Sequence, residues 1–283
     1  MEKLKKRIQI LKKKRPGYEE ILDFYYKIKE EQKRIKTSLN IKPVLLKKER
    51  KKLLTQEGFP LLQREDFPLD MEASVTLFQS LCQIGRKANP HLSEQVRKIE
   101  EALDQKRIDL KELLKEKNRE KKADQITNEL GLDQKVFIFL IQNSIQPSIE
   151  VTVEKLRNEL KNETWLKGYC PMCGSLPSLS LLREEVGKRY LLCSYCGYEW
   201  QIDRVICPFC NNHEQDSLHY FYGEGEESYR IDLCDRCHQY IKTLDLRKME
   251  APDCLLEDLA TLHLDLLAFQ KGYKRPVPNP WTP

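Results

Sequence analysis

Four Cys-x-x-Cys pairs constrain this chain more than any other feature: Cys170/Cys173, Cys193/Cys196, Cys207/Cys210 and Cys234/Cys237. They hold eight of the ten cysteines. Two thiolates two residues apart can grip one metal ion from a single tight turn, and two such turns complete a tetrahedral four-sulfur site. Four pairs therefore make two sites. One pair alone would be open to a redox reading, whereas four in one short stretch point to bound metal.

The neighbouring residues agree. A metal knuckle turns so sharply that the position after its second cysteine often needs a positive φ. Gly174, Gly197, Asn211 and His238 stand there, all residue types that take that conformation. Pro171 and Pro208 stiffen their turns. Cys-Pro-Met-Cys-Gly and Cys-Pro-Phe-Cys-Asn read as knuckles of rubredoxin or zinc-ribbon type.

The spacing gives a repeated plan of knuckle, hairpin, knuckle and strand. Expected strands are Ser178 to Arg183, Arg189 to Leu192 and Tyr198 to Ile206, then Leu218 to Tyr222, Tyr229 to Leu233 and Tyr240 to Leu246. A hairpin brings its own ends together without a long loop. Sequential sites are thus expected, with Cys170, Cys173, Cys193 and Cys196 on one ion and Cys207, Cys210, Cys234 and Cys237 on the other. A cross-brace, with the first and third pairs sharing an ion, is the alternative. Both zinc and iron accept four thiolates in a tetrahedron. Small ribbons bury little apolar surface, so metal should hold each one together. Replacing Cys170 or Cys234 with serine is expected to unfold that ribbon and spare the rest.

The 283 residues allow one large or two ordinary domains. A third of them are charged, which favours a helix-rich, well-solvated protein. The longest apolar run, Val136 to Ile141, is too short to span a bilayer. The basic start lacks a following apolar segment, so no secretory signal is expected. That implies a reducing cytoplasm, where closely paired thiols hold metal rather than disulfides. Residues 1–52 carry 19 Lys/Arg and 7 Asp/Glu, a net +12, so the remainder carries −7 to reach +5. Lys and Glu interleave there with few aromatics, which favours a solvated helix face over a nucleic-acid arm.

Helical periodicity runs through the first 165 residues. The expected helices are residues 1 to 15, Tyr18 to about Leu39, Pro43 to Leu54, Met71 to Ile84, a long one from an N-cap at Ser93 to about Lys122, Leu132 to Ile145, and Pro147 to Leu160. Gly58 to Leu62 reads as a loop pinned to the core. Leu255 to Gln270 reads as an amphipathic helix, followed by an extended tail from Tyr273. Cys82 and Cys254 read as packing residues, and His213, His219, His238 and His263 as non-ligands. The expected fold is α+β: a helical domain (1–165), two tandem rubredoxin-like or zinc-ribbon lobes (166–206 and 207–250), and a C-terminal helix and tail (251–283).

These residues resemble a known family. The run Trp165 to Pro177, Cys193-Ser-Tyr-Cys196 with Glu199-Trp200, and Cys207 to Cys210 are similar to the formate dehydrogenase accessory protein FdhE family. Pro60-Leu61-Leu62, the Phe24-Tyr25 helix, Leu264-Asp265, Gly272-Tyr273 and Asn279-Pro280 extend the likeness over nearly the whole chain. The resemblance implies a cytoplasmic, non-catalytic maturation factor that binds the catalytic subunit of formate dehydrogenase, with rubredoxin-like iron associated with its cysteines. Trp165, Tyr169, Trp200 and Tyr222, near a groove between ribbons and helices, are candidate anchors for a partner.

Two other classes compete. A nucleic-acid-binding zinc-ribbon protein would suit the basic arm. However, Glu184, Glu185, Glu199, Glu224, Glu226, Glu227, Asp232 and Asp235 crowd the ribbons, and no basic stripe carries stacking aromatics. A rubredoxin-like redox protein would need a reversible couple. No nucleophile–base pair or phosphate loop argues for catalysis. A homo-oligomer is left open.

Overall fold

The computed structural model describes residues 1–46, 56–160, 164–250 and 253–279. Helices α1 (Glu2–Lys14) and α2 (Glu19–Lys36) are separated by a turn at Pro16–Tyr18. They precede α3 (Met71–Gly85), α4 (Pro90–Asp104), α5 (Leu110–Lys115), α6 (Arg119–Leu130) and α7 (Gln134–Leu156). Residues 41–46 are not helical, and the rest of the helix expected from Pro43 to Leu54 lies outside the described residues.

The long helix expected from Ser93 is three helices. Asn89, not Ser93, caps α4 by accepting from Leu92 N–H, with Pro90 in the first turn. Lys106 adopts φ 55 and ends the run, and Asp109 and Asn118 then cap α5 and α6. Each cap competes for backbone N–H groups, so each restarts a helix. Gly131 closes α6 in the left-handed conformation.

The two helices expected on either side of Gln146 are one, α7, with Pro147 inside it. Proline has no N–H and leaves the carbonyl four residues back without its helical donor. That carbonyl, on Asn143, accepts instead from Nε2 of buried Gln32 on α2 at 2.9 Å. A neighbouring helix supplies the lost donor, so α7 continues past its proline. The stretch Gln134–Leu160 is long and apolar enough to cross a membrane by length and composition, which the shorter run Val136 to Ile141 concealed. Most of its apolar window is buried among the other helices, with Phe137, Leu140, Ile145 and Ile149 in the core.

The cysteine region forms one six-stranded mixed sheet. Its strands are β1 (Pro177–Arg183), β2 (Lys188–Cys193), β3 (Glu199–Ile202), β4 (Leu218–Phe221), β5 (Tyr229–Cys234) and β6 (Gln239–Asp245), in the order β3-β2-β1-β6-β5-β4. Each ribbon supplies three antiparallel strands. The ribbons join where β1 runs parallel to β6, with Leu179 opposite Lys242 and Leu182 opposite Asp245. The third strands are shorter than expected at the Ile206 and Leu246 ends.

Side chains alternate across this sheet. On one face Leu191, Trp200 and Ile241 join the helical core. On the other, Leu179, Leu181, Ile231 and Leu244 pack beneath Leu264 and Ala268. The C-terminal helix expected over Leu255 to Gln270 is two, α8 (Cys254–Leu259) and α9 (Leu262–Gln270), and α8 packs on α1 and α2. Helices precede and follow a mixed sheet carrying the cysteines, which is the α+β arrangement expected.

Candidate metal centres

Each knuckle is held by backbone hydrogen bonds before any sulfur is considered. Gly174 N–H donates to Cys170 C=O, Gly197 to Cys193, Asn211 to Cys207 and His238 to Cys234, at 2.8–3.3 Å. All four donors have positive φ, as expected. These turns aim both sulfurs of a pair inward. The hairpins β1–β2 and β4–β5 lie in the same sheet and set the pairs of each group against each other.

The eight sulfurs fall into two groups of four, Cys170/Cys173/Cys193/Cys196 and Cys207/Cys210/Cys234/Cys237, and within each group all lie within 4.8 Å of one another. This is the sequential arrangement; the first and third pairs do not meet, which excludes the cross-brace. Four sulfurs at mutual separations such as 3.3 Å (Cys173–Cys193) and 3.7 Å (Cys170–Cys196 and Cys207–Cys237) fit the corners of a tetrahedron around a thiophilic ion. Each group could hold one metal ion. Among the described residues no histidine joins either group.

The two groups differ in depth. All four cysteines of the first are buried, whereas Cys210 and Cys237 of the second are partly exposed. Burial pushes the thiols of Cys170 and Cys196 well above their ordinary range. Hydrogen bonds from Cys170, Cys193 and Cys196, and one from Ser175, hold Cys173 low. Ser175 Oγ lies 3.2 Å from the Cys173 sulfur and is itself held by Arg64, whose Nε donates to it at 2.8 Å. In the second group burial raises Cys207, and raises Cys237 to about 11. Cys234 is also buried, yet the Cys237 N–H and the Asn212 amide, 3.6 Å from its sulfur, bring it below the ordinary value. Four adjacent sulfurs cannot all ionise unaided. A divalent cation removes that conflict, because it favours thiolate at every corner.

The helical domain grips the first knuckle directly. Leu61 N–H donates to Pro171 C=O and Leu62 N–H to Met172 C=O, at 2.8 and 2.9 Å. The loop at Gly58 to Leu62 is therefore pinned to the metal turn itself, a role its apolar character did not reveal. Gly168 lies so close to the second ribbon that a Cβ there would sit 1.6 Å from Pro208 O. Only glycine permits that approach.

The candidate anchors are mostly structural. Trp165 and Trp200 are buried, and their indole N–H groups donate to Tyr169 C=O and Lys167 C=O. Tyr169 donates to Gly58 C=O at 2.7 Å. Tyr222 alone is substantially exposed. Cys82 is in the core, where burial pushes its thiol to about 12. Cys254 lies half-buried in the cleft between α7 and the first ribbon. His263 ties elements together, 2.7 Å from Glu226, which Arg15 also contacts. The tail folds back: Lys274 bonds to His238 C=O and Tyr240 N–H, and Arg275 contacts Asp258 and Asp265. Lys242, fully buried, completes that network.

Residues 169–204 match the model of the FdhE central domain, and residues 205–282 match that of the FdhE C-terminal domain. An FdhE homolog of Aquifex aeolicus is 31% identical over 275 residues, covering 94% of this chain and 90% of that protein. The FdhE protein of Escherichia coli O127:H6 is 37% identical over 116 residues, 40% of this chain and 37% of that one. The crystal structure of FdhE from Pseudomonas aeruginosa superposes with a TM-score of 0.72 over 98% of this chain and 93% of that one, at 24% identity, so the two share a fold. With identity running along almost the full length of both sequences and two tetracysteine groups in place, this chain belongs to the FdhE family.

Proposed function

We propose that this chain is a cytoplasmic accessory protein that binds the catalytic subunit of formate dehydrogenase and supports its maturation, turning over no small substrate of its own. Full-length membership of the FdhE family carries this reading. The eight cysteines Cys170, Cys173, Cys193, Cys196, Cys207, Cys210, Cys234 and Cys237 act as ligands for two ions of iron or zinc, which hold the sheet in shape. The docking surface is the cleft where the first ribbon meets α7, a cavity of about 670 Å³ bordered by Ile149, Arg157, Tyr195 and Glu199. Clefts between rigid elements are the usual place for recognition.

The test joins two measurements. Protein purified without air should carry two metal ions per chain and should retain the formate dehydrogenase catalytic subunit in a pull-down. Deleting the gene should lower formate dehydrogenase activity at unchanged transcript level. Activity that survives deletion, with no subunit retained, would sink the assignment; a salt-dependent nucleic-acid shift would then be the next measurement.

A further inference from the structure

One buried cation ties the two ribbons together. Arg189 stands on β2, the strand that ends at Cys193 of the first tetracysteine group. Its guanidinium is buried and crosses β1 and β6 to reach β5. On the way Nε donates to Ser180 Oγ of β1 at 2.9 Å, and Nη2 donates to Asp232 Oδ2 of β5 at 3.2 Å. Strand β5 ends at Cys234 of the second group, and Asp232 and Cys234 share one face of it. Nη1 donates to Ile206 C=O at 2.7 Å and to Arg204 C=O at 3.3 Å.

The bond to Ile206 reaches the second group more directly still. That carbonyl belongs to the peptide unit that enters Cys207, and the N–H of the same unit donates to Asn212 C=O at 2.9 Å, closing the knuckle. A peptide unit is planar, so fixing its oxygen also fixes its N–H and the Cα of Cys207. Charge adds a second link. Arg189, Arg230, Cys207 and Cys234 border one recess of about 450 Å³. Its carboxylate, Asp232, is shared by Arg189 and by Arg230, the latter at 2.6 Å, so two guanidinium groups face one acid. A buried cation short of acid is costly. Burial works against the Arg189 charge, and Asp232 and the Cys207 sulfur work for it. Four thiolates around a divalent ion carry net negative charge, so a loaded second group supplies what the two arginines lack.

We propose that Arg189 is a positioning residue that couples the two metal centres, so that filling either one tightens the other. With the second centre filled, Arg189 is held in place, and with it β2, which carries Cys193. With the first filled, β2 is held, and Arg189 fixes Ile206 and Asp232 where the second centre needs them. Coupling between sites is reciprocal, so either direction measures it. The proposal rests on the reading of the eight cysteines as ligands, and not on the formate dehydrogenase assignment.

The test uses the full chain and zinc, with affinity read by competition against a chromogenic chelator. The parent should take up two ions, the weaker one reporting the second, shallower centre. Cys173→Ser with Cys193→Ser empties the first centre, and zinc affinity at the second should then fall about tenfold. Arg189→Met puts a neutral, unbranched side chain in place of the bridge. In that background the same two serines should change the affinity by less than about threefold, because the link is already gone. An arginine with only a structural role would weaken the second centre equally whether the first is filled or empty, and leave the ratio at about ten. Asp232→Asn loosens the far end of the bridge and should lower the ratio too; it decides the matter if Arg189→Met does not fold. A ratio near one in the parent, or a ratio that stays at about ten in a folded variant, would overturn the coupling alone. A parent that takes up fewer than two ions would overturn the reading of the ligands as well.

Discussion

Gln32 shows how much one side chain can decide. Its amide supplies the donor that Pro147 denies to Asn143 C=O. Replacing it by leucine strands a carbonyl within packed helices, at a cost of about 1–3 kcal/mol. Urea unfolding of Gln32→Leu should register that loss. Adding Pro147→Ala restores the helical donor and should recover most of it, giving a positive coupling in the double-mutant cycle. A second residue-scale device joins α1 to the β4–β5 hairpin. Burial alone would raise the Glu226 carboxyl, but His263 and Arg15 outweigh it and hold it below the usual range. A carboxyl lowered on folding stabilises fully above its unfolded value, about 4.3, and that contribution fades as pH falls through the folded value. Glu226→Gln should therefore be less stable than the parent at pH 6. The two should converge as pH falls below the folded value, as followed by thermal melts across pH.

The elements show what could be read in advance. The four knuckles, the two hairpins and the pairing of sites were legible because each is set by neighbouring residues: the Cys spacing, the glycine at Gly174 or Gly197, the turn at Gly187. The helix breaks were partly legible. Asp109 followed by Glu112, and Asn118 before Arg119, are capping signals inside a stretch whose apolar residues Leu110, Leu113 and Leu114 keep helical spacing throughout. Continuity of α7 through Pro147 was not legible, since it depends on Gln32, more than a hundred positions away. Nor was the parallel contact of β1 with β6, which no local turn announces.

The packing of the first knuckle on the helices alters what loss of a cysteine should do. Cys170 belongs to the same apolar cluster as the helices, and its knuckle bonds to Leu61 and Leu62. Cys170→Ser should therefore loosen the helical core as well as the first ribbon, and hydrogen exchange should rise in α7. Cys234→Ser, in the shallower group, should raise exchange chiefly in β4 and β5. Metal release should follow the same asymmetry. With a chromogenic chelator in excess, one equivalent should leave quickly from the group containing Cys210 and Cys237, and the second slowly from the buried group. Single-phase release of both would count against the difference in depth.

For the whole molecule, the order of synthesis acquires a meaning. Strand β1 is complete in the growing polypeptide some sixty residues before its parallel neighbour β6, as the Leu179–Lys242 pairing requires. During that interval the first ribbon can close its knuckles and its hairpin, yet one side of β1 has no strand beside it. An unpaired strand edge of apolar residues, here Leu179 and Leu181, is a template for joining other chains. Synthesis stalled at His238 would leave nascent chains in that state, and those chains should aggregate or be held by chaperones. Full-length chains, in which β6 pairs with β1 and Leu264 and Ala268 cover the sheet, should stay soluble. Sedimentation of chains ending at His238 against full-length chains, both released from the ribosome, would measure the difference. The fold thus has a vulnerable period whose length is set by the distance along the chain between two neighbouring strands.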